Sequence, residues 1–307
     1  GNIFFGNELA NFEKNFIKIN KSKYGLAVRS GTDSIYLALK AFGVKENDEV
    51  ITVSNTAIPT VSAILNAGAK VRFADIGEDY LINPECIESQ INKKTKAIVV
   101  VHLFGQSCEM NKINKIAKKY KLIVIEDCAQ AQGAMYKNKF VGNLGDAGCF
   151  SFYPTKIIGA YGDGGFITLK SKSVYKKLLR MRFYGIENID KKNKYFGKYY
   201  SHQLGTNSRI DEIQLSILNS KLPNLKKYIK HRNKIAKIYF DKLKKTTLRL
   251  PTINNNNNHV FHLFTVYHKK RDEILNKLKK KINLNIYYPY PIHKMKMMKP
   301  YLGKNKL

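Results

Sequence analysis

Short apolar runs alternate with helix-like segments along the first two thirds of the chain. The apolar runs are rich in valine and isoleucine and have the length of buried strands. They are residues 26–28, 49–53, 70–75, 97–102 and 122–127. The segments between them, which repeat their apolar residues at helical spacing, are residues 34–43, 58–68, 83–91 and 110–120. This alternation predicts an α/β fold, with a mostly parallel sheet and helices on both of its faces.

The pattern changes in the last third of the chain. A helical stretch begins near Ser208, and the asparagine run at residues 254–258 predicts a loop. Residues 259–267 alternate like a strand, and residues 271–281 place their apolar positions on one helical face. Residues 286–293 contain too much proline for a central strand. We therefore expect a smaller α+β unit in this part of the chain.

The two patterns divide the chain into two predicted domains. We predict a large α/β domain over residues 1–230 and a small C-terminal α+β domain over residues 231–307. The chain starts on Gly1 rather than methionine and stops at Leu307, shortly after a new segment begins. We therefore expect both ends, and with them the small domain, to be incomplete.

The composition is typical of a globular protein. The 307 residues are 44% hydrophobic, which is enough to fill a sizeable core. No run of about 18 apolar residues and no export signal is visible, so we expect a cytoplasmic protein that does not contact a membrane. The cysteines are isolated from one another, so we expect neither a disulfide framework nor a metal site. They are Cys86, Cys108, Cys128 and Cys149.

The net charge of +31 raises the question of a nucleic-acid partner. The lysines are scattered over helical segments such as residues 112–121 and 277–281, without the interleaved aromatic residues of a nucleic-acid surface. We therefore favour a solvated basic surface and expect no nucleic-acid partner. An anionic small substrate remains compatible with this charge.

Three short stretches carry residues suited to chemistry, and the first is SGTDS at residues 30–34. It follows a predicted strand and starts a helix, where free N–H groups attract a phosphate. Gly31 permits a tight turn, and the Thr32 hydroxyl can hydrogen-bond a ligand. A plain helix cap is the alternative interpretation of this stretch.

The second stretch is IEDCAQAQG at residues 125–133, where Glu126 and Asp127 end the most apolar strand. A carboxylate at such a position is costly to bury unless a cation pairs with it. Asp127 is therefore a candidate partner for a cationic group of a ligand, although a capping or salt-bridging aspartate is an equal alternative.

The third stretch is SFYPTKIIGAYGDGG, which places Lys156 in an apolar and glycine-rich setting. An amine attacks a carbonyl only when it is deprotonated, and desolvation favours that form. Ser151 offers a hydroxyl ligand, and the glycines let backbone approach a flat molecule. Taken alone, this stretch favours the alternative of a lysine in a surface loop.

Together the three stretches predict a pyridoxal phosphate (PLP) site. A phosphate cradle, an acid at a strand end and a sheltered lysine are the groups that hold this cofactor: the lysine forms the Schiff base and the acid keeps the pyridine nitrogen protonated. We therefore predict Lys156 and Asp127 as the catalytic residues.

The chain resembles the DegT/DnrJ/EryC1/StrS aminotransferases, which use PLP to aminate keto sugars attached to nucleotides. The resemblance spans nearly the whole chain and rests on GNELANFEKNF, SGTDSIYLAL, ITVSNTAIPT, VHLFGQSCEM, IEDCAQAQGA, GCFSFYPTKIIGAYGDGG, GTNSRIDEIQLSIL, HVFHLF and YYPYPIH. It implies a PLP-dependent transferase of fold type I, similar to aspartate aminotransferase.

The resemblance also implies roles for single residues. Lys156 would bind the cofactor covalently and shuttle protons, Asp127 would pair with the pyridine nitrogen, and Gln130 would bond the ring 3-hydroxyl. The phosphate ligands implied are Gly31, Thr32 and Ser151, together with Asn207 from a neighbouring subunit. We therefore expect a homodimer with shared active sites.

Three positions depart from the family pattern. Ala57 stands where many members carry an aromatic residue over the cofactor ring, Gln132 stands where histidine is frequent, and Ile157 replaces a common asparagine after the lysine. The SFYPTK motif resembles that of members which aminate C3 of a 3-keto hexose, so we expect such a sugar, linked to dTDP or UDP, as acceptor. Glutamate is the expected amino donor, and surface glycan biosynthesis the expected pathway.

Two alternatives remain open at this point. A PLP-dependent sugar dehydratase would share the fold but carry histidine in place of Lys156, since only lysine regenerates the bound cofactor. A non-catalytic regulatory or binding protein could also keep the fold, and Ala57 and the incomplete ends give this alternative some weight.

Overall fold

A seven-stranded sheet forms the centre of the fold in the computed structural model, which describes residues 3–186, 200–255 and 257–301. The strands of the chain are β1 (Tyr24–Val28), β2 (Glu49–Val53), β3 (Lys70–Ala74), β4 (Thr95–Val101), β5 (Ile123–Asp127), β6 (Met135–Tyr136), β7 (Lys139–Phe140), β8 (Ala147–Ser151), β9 (Gly165–Leu169) and β10 (Asn257–Asn258). The central sheet has the order β1-β9-β8-β5-β4-β2-β3. Strands β3, β2, β4, β5 and β8 are parallel, and β9 is antiparallel to both of its neighbours. The predicted α/β class is confirmed.

Helices cover both faces of this sheet. They are α1 (Asn7–Asn20), α2 (Gly31–Ala41), α3 (Ile58–Asn66), α4 (Met110–Tyr120), α5 (Lys172–Met181), α6 (Glu212–Lys221), α7 (Leu225–Leu243) and α8 (Arg271–Leu278). Strand alternation divides the core: Val99 packs with α2, α3 and α5, whereas its neighbours Ile98 and Val100 pack with α4. Helices α1 and α6 extend the second face beneath β8 and β9. Because helices cover both faces of the sheet, the central strands carry apolar residues at nearly every position.

Capping residues set where several helices begin. The hydroxyl of Ser30 accepts the N–H of Asp33 at the start of α2, and the carboxylate of Asp211 accepts the N–H of Gln214 at the start of α6. The helix predicted to begin near Ser208 therefore starts at Glu212. Pro223 follows its end, and a short 3-10 turn leads into α7.

Two predicted elements are wrong. Residues 83–91 form two 3-10 turns, Pro84–Cys86 and Glu88–Gln90, instead of a helix. Residues 259–262 are buried and residues 266–267 are exposed, and the predicted strand over residues 259–267 is not formed among the described residues. The N–H groups of Val260 and Leu263 donate instead to the carbonyls of Gly105 and Phe104. An alternating sequence is not enough for a strand, because a strand also needs a neighbouring strand to bond.

The remaining part of the C-terminal third returns to the large sheet. Ile292 is fully buried in the core beside β2, and its N–H donates to the Ser54 carbonyl at 3.0 Å. Helix α7 runs through the boundary placed at residue 230, so the division into domains stays a prediction. Within the described ranges, no helix combines the length and apolar character needed to cross a bilayer.

Glu126 joins the central sheet to the loop that follows β7. Its carboxylate is fully buried and accepts the N–H groups of Gly142, Leu144 and Gly145 at 2.6–2.8 Å. It also accepts the Nε2–H of His102 at 2.9 Å. The Cys108 N–H donates to His102 Nδ1, which identifies this imidazole as neutral with its proton on Nε2. Cys128, which lies close to Glu126 and His102, is part of the same network, because its thiol donates to the Glu126 backbone carbonyl.

This network makes a prediction about stability. The substitution Glu126→Gln keeps the shape but turns an amide NH₂ towards backbone donors, so we expect the free energy of unfolding to fall by about 3 kcal/mol. Urea denaturation measures the change. Glu85→Gln is the matched control, because the Glu85 carboxylate is exposed and pairs with Lys112, and it should cost less than about 1 kcal/mol. Equal losses in the two variants would contradict a structural role for Glu126.

Candidate active site

A cavity of about 290 Å³ lies at the carboxyl ends of the parallel strands. This is the edge at which open α/β sheets bind their ligands. The lining includes most of the residues predicted from the sequence: Gly31, Thr32, Asp127, Gln130, Ser151 and Lys156. Residues that are up to 125 positions apart in the chain thus meet at one site because strands β1, β5 and β8 end on the same side.

The start of α2 forms one wall of the cavity. The Ser30 hydroxyl caps the N–H of Asp33, while the N–H groups of Gly31 and Thr32 have no acceptor within the helix. A Cβ added at Gly31 would lie 2.6 Å from the Cβ of Ser151, so only glycine allows this approach. The free amides at this helix N-terminus, together with the hydroxyls of Thr32 and Ser151, form an anion site. This site fits the phosphate of PLP.

Asp127 forms the floor of the cavity at the end of β5. Its side chain is almost fully buried, with Oδ2 accepting the Thr60 hydroxyl at 2.8 Å and Oδ1 accepting the Ala129 N–H at 3.1 Å. Burial raises the pKa of this carboxyl, and these two hydrogen bonds and the charge of Lys156 oppose the rise. A buried acid held in one orientation is suited to pairing with a protonated ring nitrogen.

Lys156 enters the same cavity from the turn after β8. Burial lowers the pKa of its amine, and the negative charge of Asp127 acts in the opposite direction. The lysine is therefore closer to its neutral, nucleophilic form than a lysine on the surface. The structure brings together the predicted amine and acid.

Gln130 connects the cavity to the C-terminal third of the chain. Its Oε1 accepts the Phe104 N–H, and its Nε2 donates to the Tyr288 hydroxyl, both at 2.8 Å. Burial raises the pKa of the Tyr288 hydroxyl to about 12, so this phenol stays protonated at neutral pH. These contacts fix the amide of Gln130, which has a second N–H free for a ligand in the cavity.

Asn207 is next to Ser208, which bonds Arg29 and Asp33 near the start of α2. Asn207 forms a β-bridge with Phe183 and is absent from the lining of the cavity. Its implied contact with the phosphate of a neighbouring subunit stays a prediction.

Several residues at the site were missed from the sequence. Thr60 orients Asp127, and Tyr153 and Asp163 line the cavity mouth. Gln132 was noted only as a departure, although it bonds the turn that carries Lys156. The signal available for Thr60 was its place in the first turn of a helix directly after a strand. Ala57 also lines the cavity, next to the position predicted for the cofactor ring.

Fold and site together define the class: an α/β protein with a lysine, an acid and a phosphate cradle arranged for PLP. A profile of the DegT/DnrJ/EryC1/StrS aminotransferase family matches residues 1–306. The chain therefore belongs to the DegT/DnrJ/EryC1/StrS aminotransferase family, which confirms the predicted family, enzyme class and cofactor.

Similarity to individual named proteins supports this assignment. The chain is 40% identical to a dTDP-3-amino-3,4,6-trideoxy-alpha-D-glucose transaminase of Micromonospora megalomicea, over 96% of this chain and 79% of that protein. It is 41% identical to a pleiotropic regulatory protein of Geobacillus stearothermophilus, over 95% and 77%. The crystal structure of S. venezuelae DesV in complex with a ketimine intermediate superposes with a TM-score of 0.92 at 32% identity. The superposition covers all of this chain and 80% of the DesV chain.

The charges in the cavity predict the reactivity of Lys156. Its amine should become reactive towards trace acetic anhydride at a lower pH than that of Lys112, whose pKa is raised by its hydrogen bond to Glu85. Asp127→Asn should move the Lys156 midpoint further down, because the negative charge that raises this pKa is removed. Competitive acetylation followed by peptide mass spectrometry measures both residues in one digest. A Lys156 midpoint at or above that of Lys112 would refute the environment described.

Proposed function

We propose that this protein transfers an amino group from glutamate to a nucleotide-linked 3-keto sugar, using PLP bound at Lys156. The observation that carries the proposal is the meeting of a desolvated amine, a buried acid and a helix N-terminus in one small cavity. The amine and acid alone would suit several reactions. The addition of a phosphate cradle within the same cavity selects PLP chemistry.

The residues divide the work of the reaction. When bound, PLP supplies an electron sink that stabilises negative charge on the substrate carbon. Asp127 holds a proton at the ring nitrogen, with Thr60 keeping the carboxylate in place. Lys156, whose pKa is lowered by burial, moves the proton between substrate and cofactor carbons. The burial of both groups in the cavity limits their contact with water.

The proposed acceptor is a hexose with a ketone at C3, linked to dTDP or UDP. The name of the Micromonospora relative indicates a 3-amino sugar nucleotide as its product. The net charge of +31 attracts a diphosphate-bearing substrate over a long range. Tyr153, in the motif that suggested the 3-keto class, lies at the cavity mouth with 52% of its surface exposed, where it can contact an incoming sugar.

The proposed active unit is a homodimer. Large apolar side chains are exposed at the cavity, at α6 and beside α2 and α5, which is unusual for a surface in contact with water. They are Tyr153 at 52%, Tyr161 at 76%, Leu204 at 86% and Ile213 at 68% exposed. A second copy that covers this surface would bring Asn207 towards the phosphate cradle of its partner.

A regulatory role is the second candidate, and one observation favours it. The relative from Geobacillus is named a pleiotropic regulatory protein, at an identity close to that of the transaminase. A purely regulatory protein has no need of a lysine of lowered pKa in one cavity with a buried acid, so the enzyme is the stronger proposal. A dehydratase is disfavoured because Lys156 occupies the position at which that class carries histidine.

Reductive trapping tests the proposed cofactor bond. We expect borohydride treatment of the PLP-loaded protein to leave a pyridoxyl group on the peptide that contains Lys156, because this amine is the desolvated one in the cavity. Peptide mass spectrometry identifies the labelled residue, and Lys156→Ala should abolish the label. A folded protein with no label, or with the label on a different lysine, would favour the regulatory candidate.

Subunit mixing tests the shared active site. Lys156→Ala and Asn207→Ala should each be inactive alone, since each homodimer lacks one essential group in both sites. After the two are unfolded and refolded together, half of the dimers should be mixed and contain one intact site, restoring about a quarter of the wild-type rate. The rate of 2-oxoglutarate formation measures this. A mixture as inactive as its components would show that Asn207 acts within its own subunit.

A further inference from the structure

Gln132 lies beneath the turn that carries Lys156, with 1% of its surface exposed. Its Nε2 donates to the Ser151 carbonyl at 2.8 Å and to the Ile158 carbonyl at 3.0 Å. Its Oε1 accepts the Ile158 N–H at 2.6 Å. A single side chain therefore bonds both ends of the turn and connects it to the segment after β5.

The geometry requires an amide at this position. Pairing with the N–H and the carbonyl of the same residue needs a donor and an acceptor side by side, which glutamine provides and the diverging nitrogens of histidine do not. The second amide proton reaches Ser151, so three polar groups of the buried backbone are satisfied together. Gln132 adds no charge next to an amine whose reactivity depends on its pKa.

On its buried side, the turn is held by Gln132 and by a backbone bond across its base, from the Ala160 N–H to the Phe152 carbonyl at 2.8 Å. Residues 153–155 at its outer side are exposed, and the Lys156 N–H donates within the turn to the Tyr153 carbonyl at 2.9 Å. Beyond the turn, Lys221 bonds the Gly159 carbonyl. By linking the Ser151 carbonyl to Ile158, Gln132 therefore helps to set the position of the Lys156 backbone relative to Ser151, a phosphate ligand in our proposal.

We propose that Gln132 is a positioning residue that aligns Lys156 with the cofactor site. This inference rests on the proposed function of Lys156. In this role, Gln132 affects the rate of the reaction by more than its contribution to stability explains. Displacement of the reacting amine by about 1 Å lowers a rate by on the order of 100-fold, so a small loosening of the turn is enough.

The test uses Gln132→Met, which has nearly the same volume and no polar groups, and a matched control. Gln106 is also buried, and its amide likewise bonds backbone on both sides: Nε2 donates to the Thr252 carbonyl and Oε1 accepts the Asn254 N–H. These partners lie in a loop outside the cavity. Gln106→Met therefore removes similar bonds without touching the Lys156 turn.

Three measurements are made on wild type and both variants: the thermal midpoint, the rate at which added PLP becomes reducible onto Lys156, and kcat and KM for glutamate. We expect both variants to lose similar stability, but only Gln132→Met should slow labelling and lower kcat by on the order of 10- to 100-fold, with KM little changed. Labelling and turnover that are equally fast in the two variants would overturn the inference. If Gln132→Met does not fold, Gln132→His, which keeps one donor and one acceptor, replaces it and should label more slowly than Gln106→His.

The wild-type measurement separates this inference from the proposed function. Absence of label at Lys156 in the wild-type protein would refute the proposed function itself. A normal wild-type label with no specific defect in the Gln132 variants would refute only the positioning role.

Discussion

The structure depends on the burial of two opposite charges at one edge of a parallel sheet. Asp127 and Lys156 line the same small cavity, and burial shifts the pKa of each towards its neutral form. Burying these two groups costs free energy, because each loses its contacts with water and, among the described residues, neither forms a direct ion pair in exchange. The fold supplies what compensates: hydrogen bonds from Thr60 and Ala129 to the acid, and attraction between the two charges across the cavity.

Strand alternation lets two adjacent carboxylates serve different purposes. Asp127 faces the cavity, whereas Glu126 points to the opposite face and accepts four hydrogen bonds from the loop at residues 142–145 and from His102. That loop leads directly into β8, the strand that precedes the Lys156 turn. The carboxyl end of β5 thus carries Asp127, the acid of the site, and Glu126, which holds the loop that leads to β8 and the Lys156 turn.

Much of this arrangement was predictable from the sequence because it follows from local patterns. Strand β2 and helix α4 match their predicted bounds, since valine-rich runs and helical spacing report burial directly. The cavity residues were predictable because parallel strands end at one edge. Thr60 and Gln132 were not, since their roles depend on contacts with residues distant in sequence. The segment at residues 259–267 shows the same limit: strand formation depends on a partner that periodicity does not reveal.

The most direct test of the account is the transfer of nitrogen itself. The PLP-loaded protein is supplied with ¹⁵N-labelled glutamate and a dTDP- or UDP-linked 3-keto hexose, and the sugar nucleotide is analysed by mass spectrometry. The account predicts a ¹⁵N-amino sugar formed in equal amount with 2-oxoglutarate, and none with Lys156→Ala. Label confined to glutamate, or a sugar that loses a hydroxyl without gaining nitrogen, would contradict it.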